Sequence, residues 1–335
     1  MRVAVFSTKR WVEQAFRGAP EAEKLEFTFL EPTLSAHTAP LAAEHDAVCI
    51  FVNDTADKAV LHELDEAGVK HIALRCAGFN NVDLEEAEKL GMTVVRVPAY
   101  SPFAVAEHAA GLIMTLNRRY HRAHNRVREQ NFSLDGLLGF DLNGKRVGVI
   151  GTGRIGRIFA RIMQGFGCDV CAYDQYPNDE LAATGVRYVE LDELYAESDI
   201  ISLHCPLTHE THHIINAESI AKMSDGVMVI NTSRGPLIDS NAVIDGLKSG
   251  RIGYLGLDVY EEEGDLFFED LSEEVIQDDT FVRLQTFPNV LITAHQAFFT
   301  REAVDNIAQT TVENLLAVND GGTSANQLRS ADVRK

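Results

Sequence analysis

The sequence predicts an α/β protein of two units, each built on a parallel sheet, and three observations predict it. Along the first hundred residues, short apolar runs rich in β-branched side chains alternate with amphipathic stretches. After a long helical segment, a second alternating series starts at Lys145. Near its start, a run of closely spaced glycines separates an apolar run from a helix-like stretch. The chain has 335 residues, more than most single cores organise, so about two domains are expected.

The first series has strand candidates at 3–6, 47–52, 71–76 and 93–97, with helical segments at 55–67 and 84–90. Pro98, Pro102 and the small residues between them break the pattern. A helical segment is expected over 103–128. Strand candidates then follow at 146–150, 169–173, 199–204, 227–231, 254–259 and 290–294. Six runs with helical connectors suit a doubly wound sheet. The stretch 301–318 reads as a helix, with one face carrying Ala303, Ile307, Thr311, Leu315 and Leu316.

A net charge of −20 repels phosphate backbones and anionic lipid, so neither nucleic acid nor membrane is an expected partner. The same charge repels a small carboxylate at long range, so any anion site must be locally positive. The start, Met1-Arg2-Val3-Ala4-Val5-Phe6, runs directly into polar Ser7-Thr8-Lys9-Arg10 and does not read as a secretory leader. Five cysteines in apolar runs do not make a disulfide scaffold, and a cytoplasmic location is the expectation.

Val147-Gly148-Val149-Ile150-Gly151-Thr152-Gly153-Arg154-Ile155-Gly156 reads as strand, tight turn and helix start. Gly151 permits the turn, Gly153 lets a pyrophosphate approach the backbone, and Gly156 lets helix and strand pack closely. The following strand candidate leads to Asp174, about twenty residues on, where an acid binds ribose hydroxyls. With no basic residue in Gln175-Tyr176-Pro177, a 2′-phosphate would meet only like charge. The expected cofactor is NAD rather than NADP.

Three further segments fall at strand ends of the second series: Asn231-Thr232-Ser233-Arg234-Gly235, Gly256-Leu257-Asp258-Val259-Tyr260-Glu261-Glu262-Glu263 and Thr293-Ala294-His295-Gln296-Ala297-Phe298. That edge is where open α/β sheets bind ligands. Transfer of a hydride to a keto acid needs a cation on the carboxylate, a proton donor, and an acid that orients the donor. Arginine matches a carboxylate with a planar fork, histidine titrates in the useful range, and a carboxylate orients the ring. Singly, Arg234 reads as an ion pair, His295 as a core histidine and Glu263 as part of a solvated acidic loop. Beside a dinucleotide fingerprint they read together as a catalytic set.

The chain resembles the D-2-hydroxyacid dehydrogenase family over nearly its whole length. The motifs carrying the likeness are Arg75-Cys-Ala-Gly-Phe-Asn-Asn-Val-Asp83, Val97-Pro-Ala-Tyr-Ser-Pro102, Ala106-Glu-His108, the glycine turn, His204-Cys-Pro-Leu-Thr208 and the three strand-end segments. The resemblance implies that Arg234 binds and polarises the substrate, His295 is the acid/base, and Glu263, five residues after Asp258, pairs with His295. It implies substrate contacts at Ala77, Gly78, Tyr100 and Phe298. It implies cofactor contacts at Arg154, Ile155, Cys205, Pro206, Thr232 and Asp258 besides Gly151, Gly153, Gly156 and Asp174. The implied fold is a flavodoxin-like substrate domain, 1–100 with 300–335, and an inserted dinucleotide-binding domain, 101–299. A hinge is expected near 98–102 and 298–301, and a homo-oligomer through 100–128. The implied reaction is reduction of pyruvate to D-lactate, with the stretch 264–270 through Asp278-Asp279 resembling members that act on small substrates. A bulkier keto acid such as phenylpyruvate is the alternative. A non-enzymatic, NAD-responsive corepressor-like protein fits the acidic charge and the catalytic set less well.

His209-Glu210-Thr211-His212-His213 formally matches a zinc-protease helix, but it follows Pro206 at a strand end and reads as a loop, so no metal is expected. Cys168-Asp-Val-Cys171 lies on a strand candidate, where residues three apart face opposite sides. Asn131-Phe-Ser133 and Asn231-Thr-Ser233 match glycosylation patterns but are expected to be silent.

Overall fold

The structure, a computed structural model, describes residues 1–268, 270–319 and 321–334; Glu269, inside the stretch 264–270, lies outside them. The chain divides into two compact units, Met1–Ser101 with Phe299–Lys335, and Pro102–Phe298. The α/β class with two mostly parallel sheets is observed.

In the first unit, strands β1 (Arg2–Val5), β2 (Glu26–Phe29), β3 (Ala47–Ile50), β4 (His71–Leu74) and β5 (Thr93–Arg96) are parallel and ordered β2-β1-β3-β4-β5. A short strand, Gln327–Leu328, joins β5 antiparallel. This is the flavodoxin-like order. Helices α1 (Arg10–Gly18), α2 (Lys58–Glu66) and α3 (Leu84–Lys89) connect the strands. Asp57 and Asp83 start α2 and α3 by accepting the Val60 and Glu86 amides. Helix Arg301–Asn319 packs Ala308, Val312, Leu315 and Val318 into the same core as Val3, Val5, Phe16 and Cys49. The sequence reading leaves α1 and β2 unassigned. β2 is an edge strand whose residues alternate between exposed and half-buried, a fainter pattern than a buried run.

The second unit opens with helices α4 (Pro102–Arg118) and α5 (Tyr120–Arg128), where sequence periodicity predicts one continuous helix. Arg119 takes a left-handed conformation and its guanidinium donates to the Gly136 carbonyl. Asn117, just before it, donates to the Phe140 carbonyl and accepts from its amide. The helix breaks because these two side chains tie it to the returning segment.

The second sheet holds β6 (Arg146–Ile150), β7 (Asp169–Tyr173), β8 (Arg187–Tyr188), β9 (Ile200–Leu203), β10 (Val227–Asn231), β11 (Ile252–Leu257) and β12 (Val290–Ile292). The order is β8-β7-β6-β9-β10-β11-β12, all parallel, which is the doubly wound dinucleotide-binding order. β10 is buried at every residue because helices cover both faces of a parallel sheet. The reversal lies between β6 and β9, so the carboxyl ends of these strands form the crevice where ligands bind. No helix among the described residues is long and apolar enough to cross a membrane.

Candidate active site

The glycine turn joins β6 to α6 (Arg154–Gly165). Gly151 sits at φ 94°, a backbone conformation natural only to glycine, and a Cβ there would overlap the Cys205 amide nitrogen. A Cβ at Gly156 would overlap the Gly151 carbonyl and lie 3.3 Å from His204 Cβ. Gly153 is different. It is exposed, and a Cβ there would meet nothing within 4 Å. It caps α6 with no side-chain acceptor, so the first amides of the helix, those of Arg154 and Ile155 included, point outward with the positive end of the dipole.

Asp174 follows β7. Its carboxylate accepts the Thr152 amide at 2.5 Å and the Thr152 hydroxyl at 3.0 Å, and its other oxygen accepts the Tyr176 amide at 2.9 Å. The acid is thereby fixed at the rim of the turn with lone pairs left for further donors. Cys205 is buried and Pro206 exposed just beyond β9, and the Cys205 carbonyl accepts Ser233 Oγ at 2.7 Å. Thr232 Oγ1 is buried without a hydrogen-bond partner. An unobstructed helix start, a rim carboxylate and an orphaned hydroxyl fit a dinucleotide.

His204 lies beneath the turn, against Phe159, with Nε2 2.9 Å from Ser202 Oγ and a buried Nδ1 that has no partner. Burial pushes its pKa down to about 3. Between about pH 3 and the ordinary histidine value near 6.5, the unfolded chain binds a proton that the native chain does not. The contribution is therefore fully present above about 6.5 and lost as pH falls through that window. The slope is at most about 1.4 kcal/mol per pH unit. We expect the urea midpoint of the apoprotein to fall more steeply from pH 7 to pH 4.5 than that of His204→Asn; parallel curves would refute this.

Arg234 follows β10. Asn231, fully buried, accepts the Ser233 amide at 3.0 Å and donates to the Arg234 carbonyl at 2.8 Å. The Arg234 guanidinium is half-buried and donates to the Ser233 carbonyl at 2.6 Å. Gly235 begins the short turn Gly235–Leu237, and a Cβ there would overlap the Tyr260 carbonyl.

β11 and β12 carry the rest. Asp258, fully buried, accepts the amides of Gln296 (2.9 Å) and Ala297 (2.8 Å) and the Thr293 hydroxyl (2.5 Å). Its carbonyl accepts the His295 amide at 2.7 Å. These bonds hold His295 at φ 49°, a left-handed conformation uncommon for a residue with a side chain. His295 Nδ1 lies 2.7 Å from Glu263 Oε1, and Glu263 Oε2 accepts the Tyr260 amide at 3.0 Å. A carboxylate can only accept, so Nδ1 carries the proton and the bond to Glu263 leaves Nε2 unused. Of the acids at 261–263, it is Glu263 that meets His295. Phe298 is buried just beyond.

The expected nicotinamide contact Asp258 has both carboxylate oxygens engaged by the 293–297 loop. His108 of α4 adds to this, its Nε2 3.1 Å from Thr293 Oγ1 and 3.4 Å from Asp258 Oδ1. The Ala106-Glu-His108 motif flagged this histidine, but its partner lies far along the chain. His209 to His213 form a turn rather than a helix, and His213 meets Glu261. Among the described residues no group of three or more His, Cys, Asp or Glu side chains could hold a metal.

In the first unit, Ala77 and Gly78 follow β4. The Ala77 carbonyl accepts Arg96 at 2.7 Å and the Gly78 carbonyl accepts the Cys76 thiol at 3.3 Å. The Tyr100 carbonyl accepts Asn306 at 2.7 Å. The same unit holds a network that sequence reasoning missed: buried Asp54 accepts Ser7 Oγ and the Leu34 and Phe51 amides, while Arg75 donates to the Ser7 carbonyl and covers the Phe51 ring. Burial pushes the Asp54 carboxyl up.

Residues 110–297 match the family described as D-isomer specific 2-hydroxyacid dehydrogenase, NAD binding domain. The chain is 55% identical to the D-lactate dehydrogenase of Escherichia coli (strain K12), over 98% of this chain and 100% of that one. Its fold is similar to that of the pyruvate reductase of Chlamydomonas reinhardtii, with TM-score 0.92 and 50% identity, covering 97% and 98% of the two chains. It is also similar to the Aquifex aeolicus D-lactate dehydrogenase complexed with NAD and lactic acid, with TM-score 0.84 and 36% identity over 95% and 96%.

Proposed function

The chain belongs to the D-isomer specific 2-hydroxyacid dehydrogenases, an NAD-dependent enzyme family, and from that premise we propose that it reduces pyruvate to D-lactate with NADH. The observation that carries the reading is the 2.7 Å His295–Glu263 pair at the carboxyl edge of the dinucleotide-binding sheet. The names of the relatives, a lactate dehydrogenase and a pyruvate reductase, favour a small keto acid.

In this proposal NADH supplies the hydride that reaches the carbonyl carbon. His295 gives the Nε2 proton to the carbonyl oxygen and recovers it from solvent, so that pyruvate, NADH and one proton become D-lactate and NAD. Glu263 keeps the Nδ1 proton in place and the ring oriented. The Arg234 guanidinium binds the substrate carboxylate and stabilises charge developing on the carbonyl oxygen. We assign the amides of Ala77 and Gly78, with Tyr100 and Phe298, to the substrate, making Met1–Ser101 with Phe299–Lys335 the substrate unit and Pro102–Phe298 the cofactor unit. Gly151, Gly153, Gly156, Arg154, Ile155, Asp174, Cys205, Pro206, Thr232 and Asp258 are assigned to the cofactor side. A homo-oligomer in the cytoplasm completes the reading. The interface is proposed through 100–128, with Phe132, Leu134 and Leu138, each exposed, just beyond it in the chain, and a sedimentation mass that is a multiple of 37.0 kDa is its signature. All five cysteines are free and buried, as a reducing compartment allows.

The test is kcat/KM with NADH for pyruvate and phenylpyruvate. Pyruvate is expected to lead by about tenfold or more, the scale on which pockets discriminate by apolar bulk. Preference for phenylpyruvate would move the substrate to a larger keto acid. Tight NADH binding with no turnover of either would favour the corepressor-like reading.

A further inference from the structure

The turn that carries Arg234 is held between two segments distant in sequence. On one side, the His213 amide donates to the Pro236 carbonyl at 2.9 Å and the Ile215 amide to the Leu237 carbonyl at 3.0 Å. On the other, Gly235 lies so close to the chain at Tyr260 and Glu261 that a Cβ would overlap it. A side-chain bond closes the two layers on each other: His213 Nε2 lies 2.7 Å from Glu261 Oε1. Glu261 Oε2 also accepts the amide of Ser240 at 2.9 Å, at the start of the helix that follows the turn. One carboxylate thus holds the segment before the turn and the segment after it, while its own backbone presses on the middle.

His213 is itself at φ 51°, a strained conformation for a side-chain-bearing residue. Its carbonyl accepts Asn216 Nδ2 at 2.8 Å. The side-chain bond to Glu261 runs across the turn rather than along a helix or strand, so no regular element would supply it. Glu261 lies two residues before Glu263, whose other oxygen accepts the Tyr260 amide. The segment that presses on the Arg234 turn therefore also carries the acid that orients His295.

We propose that His213 and Glu261 are a positioning pair that fixes the Arg234 turn, an inference that rests on the function proposed above. Arginine is a long lever, so a small rotation of the turn displaces the guanidinium by far more than it displaces the backbone. Misplacement by about 1 Å can cost a hundredfold in rate. The pair touches neither substrate nor cofactor in this account and acts only through Arg234 and the 260–263 segment.

The test compares His213→Leu with His213→Gln, whose amide can still donate to Glu261. Steady-state kinetics with pyruvate and NADH, the affinity of the NADH complex for oxamate (an isostere of pyruvate), NADH affinity and Tm are measured for each. His213→Leu is expected to raise KM for pyruvate and weaken oxamate by about tenfold, with lower kcat and NADH affinity within about twofold. His213→Gln is expected to recover most of that loss. In an Arg234→Lys background, adding His213→Leu is expected to cost less than it does alone, because both changes act through one guanidinium. His213→Leu with wild-type KM and oxamate affinity, whatever its Tm, would overturn the pair's role, and so would fully additive losses with Arg234→Lys. If the wild type reduces no 2-keto acid, the functional reading falls and the pair's role falls with it.

Discussion

His295→Gln and Arg234→Gln should each lower kcat for pyruvate reduction about a thousandfold, while NADH affinity stays within a few-fold of wild type. Glutamine at 295 can fill the space and accept a hydrogen bond but cannot give up a proton at neutral pH. A positioned proton donor contributes about 10²–10⁴ in rate. Arg234 supplies charge where the carbonyl oxygen becomes negative, and loss of one such donor costs about 10²–10³. Its replacement should raise KM as well, because the substrate carboxylate loses its cation. Glu263→Gln should fall between these and wild type. The carboxylate accepts from both His295 Nδ1 and the Tyr260 amide, and glutamine has one oxygen for two donors. With the amide NH2 toward the Tyr260 N–H two donors face each other, and with it toward His295 the ring has to give up its Nδ1 proton to accept. Stopped-flow single turnovers with preformed NADH complexes separate the chemical step from binding. Near-normal single-turnover rates in either the His295 or the Arg234 variant would remove that residue from the chemistry.

Gly156→Ala and Gly153→Ala should differ in kind. A Cβ at Gly156 overlaps the Gly151 carbonyl, which belongs to the rigid turn and cannot give way as a flexible side chain would. Helix α6 has to move off the strand, taking its first amides with it. The expected result is lower apoprotein Tm and NADH affinity reduced a hundredfold or more, about 3 kcal/mol. At Gly153 the same methyl group meets nothing within 4 Å, and the backbone there, at φ −62°, suits alanine. That variant should keep the apoprotein Tm and still lose NADH affinity, because the open space is what a pyrophosphate needs. Calorimetry of the apoproteins with NADH titration checks both. Equal NADH affinity in wild type and Gly153→Ala would place the phosphates elsewhere.

The fold was most legible where burial is most complete. β6, β7 and β10 have the limits the sequence predicts, because interior strands of a parallel sheet are unbroken apolar runs. The two-residue β8 and the edge strand β2 leave a faint pattern, and the break at Arg119 depends on partners at Gly136 and Phe140 that helical periodicity does not report. In the site, the glycine turn was readable because its parts are consecutive. Glu263 and His295 lie 32 residues apart; their strand-end placement grouped them, and the family resemblance singled out Glu263 within the acidic run as the partner. His213 and Glu261, 48 apart, and His108 and Thr293, 185 apart, meet through the fold alone. Asp258 also carries a contact that sequence spacing does not report: its carboxylate grips the loop that holds His295 in its left-handed conformation.

The Arg234, Glu263 and His295 set is expected to reduce pyruvate to the D isomer of lactate. Incubation of the wild-type protein with pyruvate and NADH, followed by chiral separation of the product, tests it most directly. One D-lactate should form for each NADH consumed, with no L-lactate. L-lactate, a racemate, or no NADH consumption with pyruvate would contradict it.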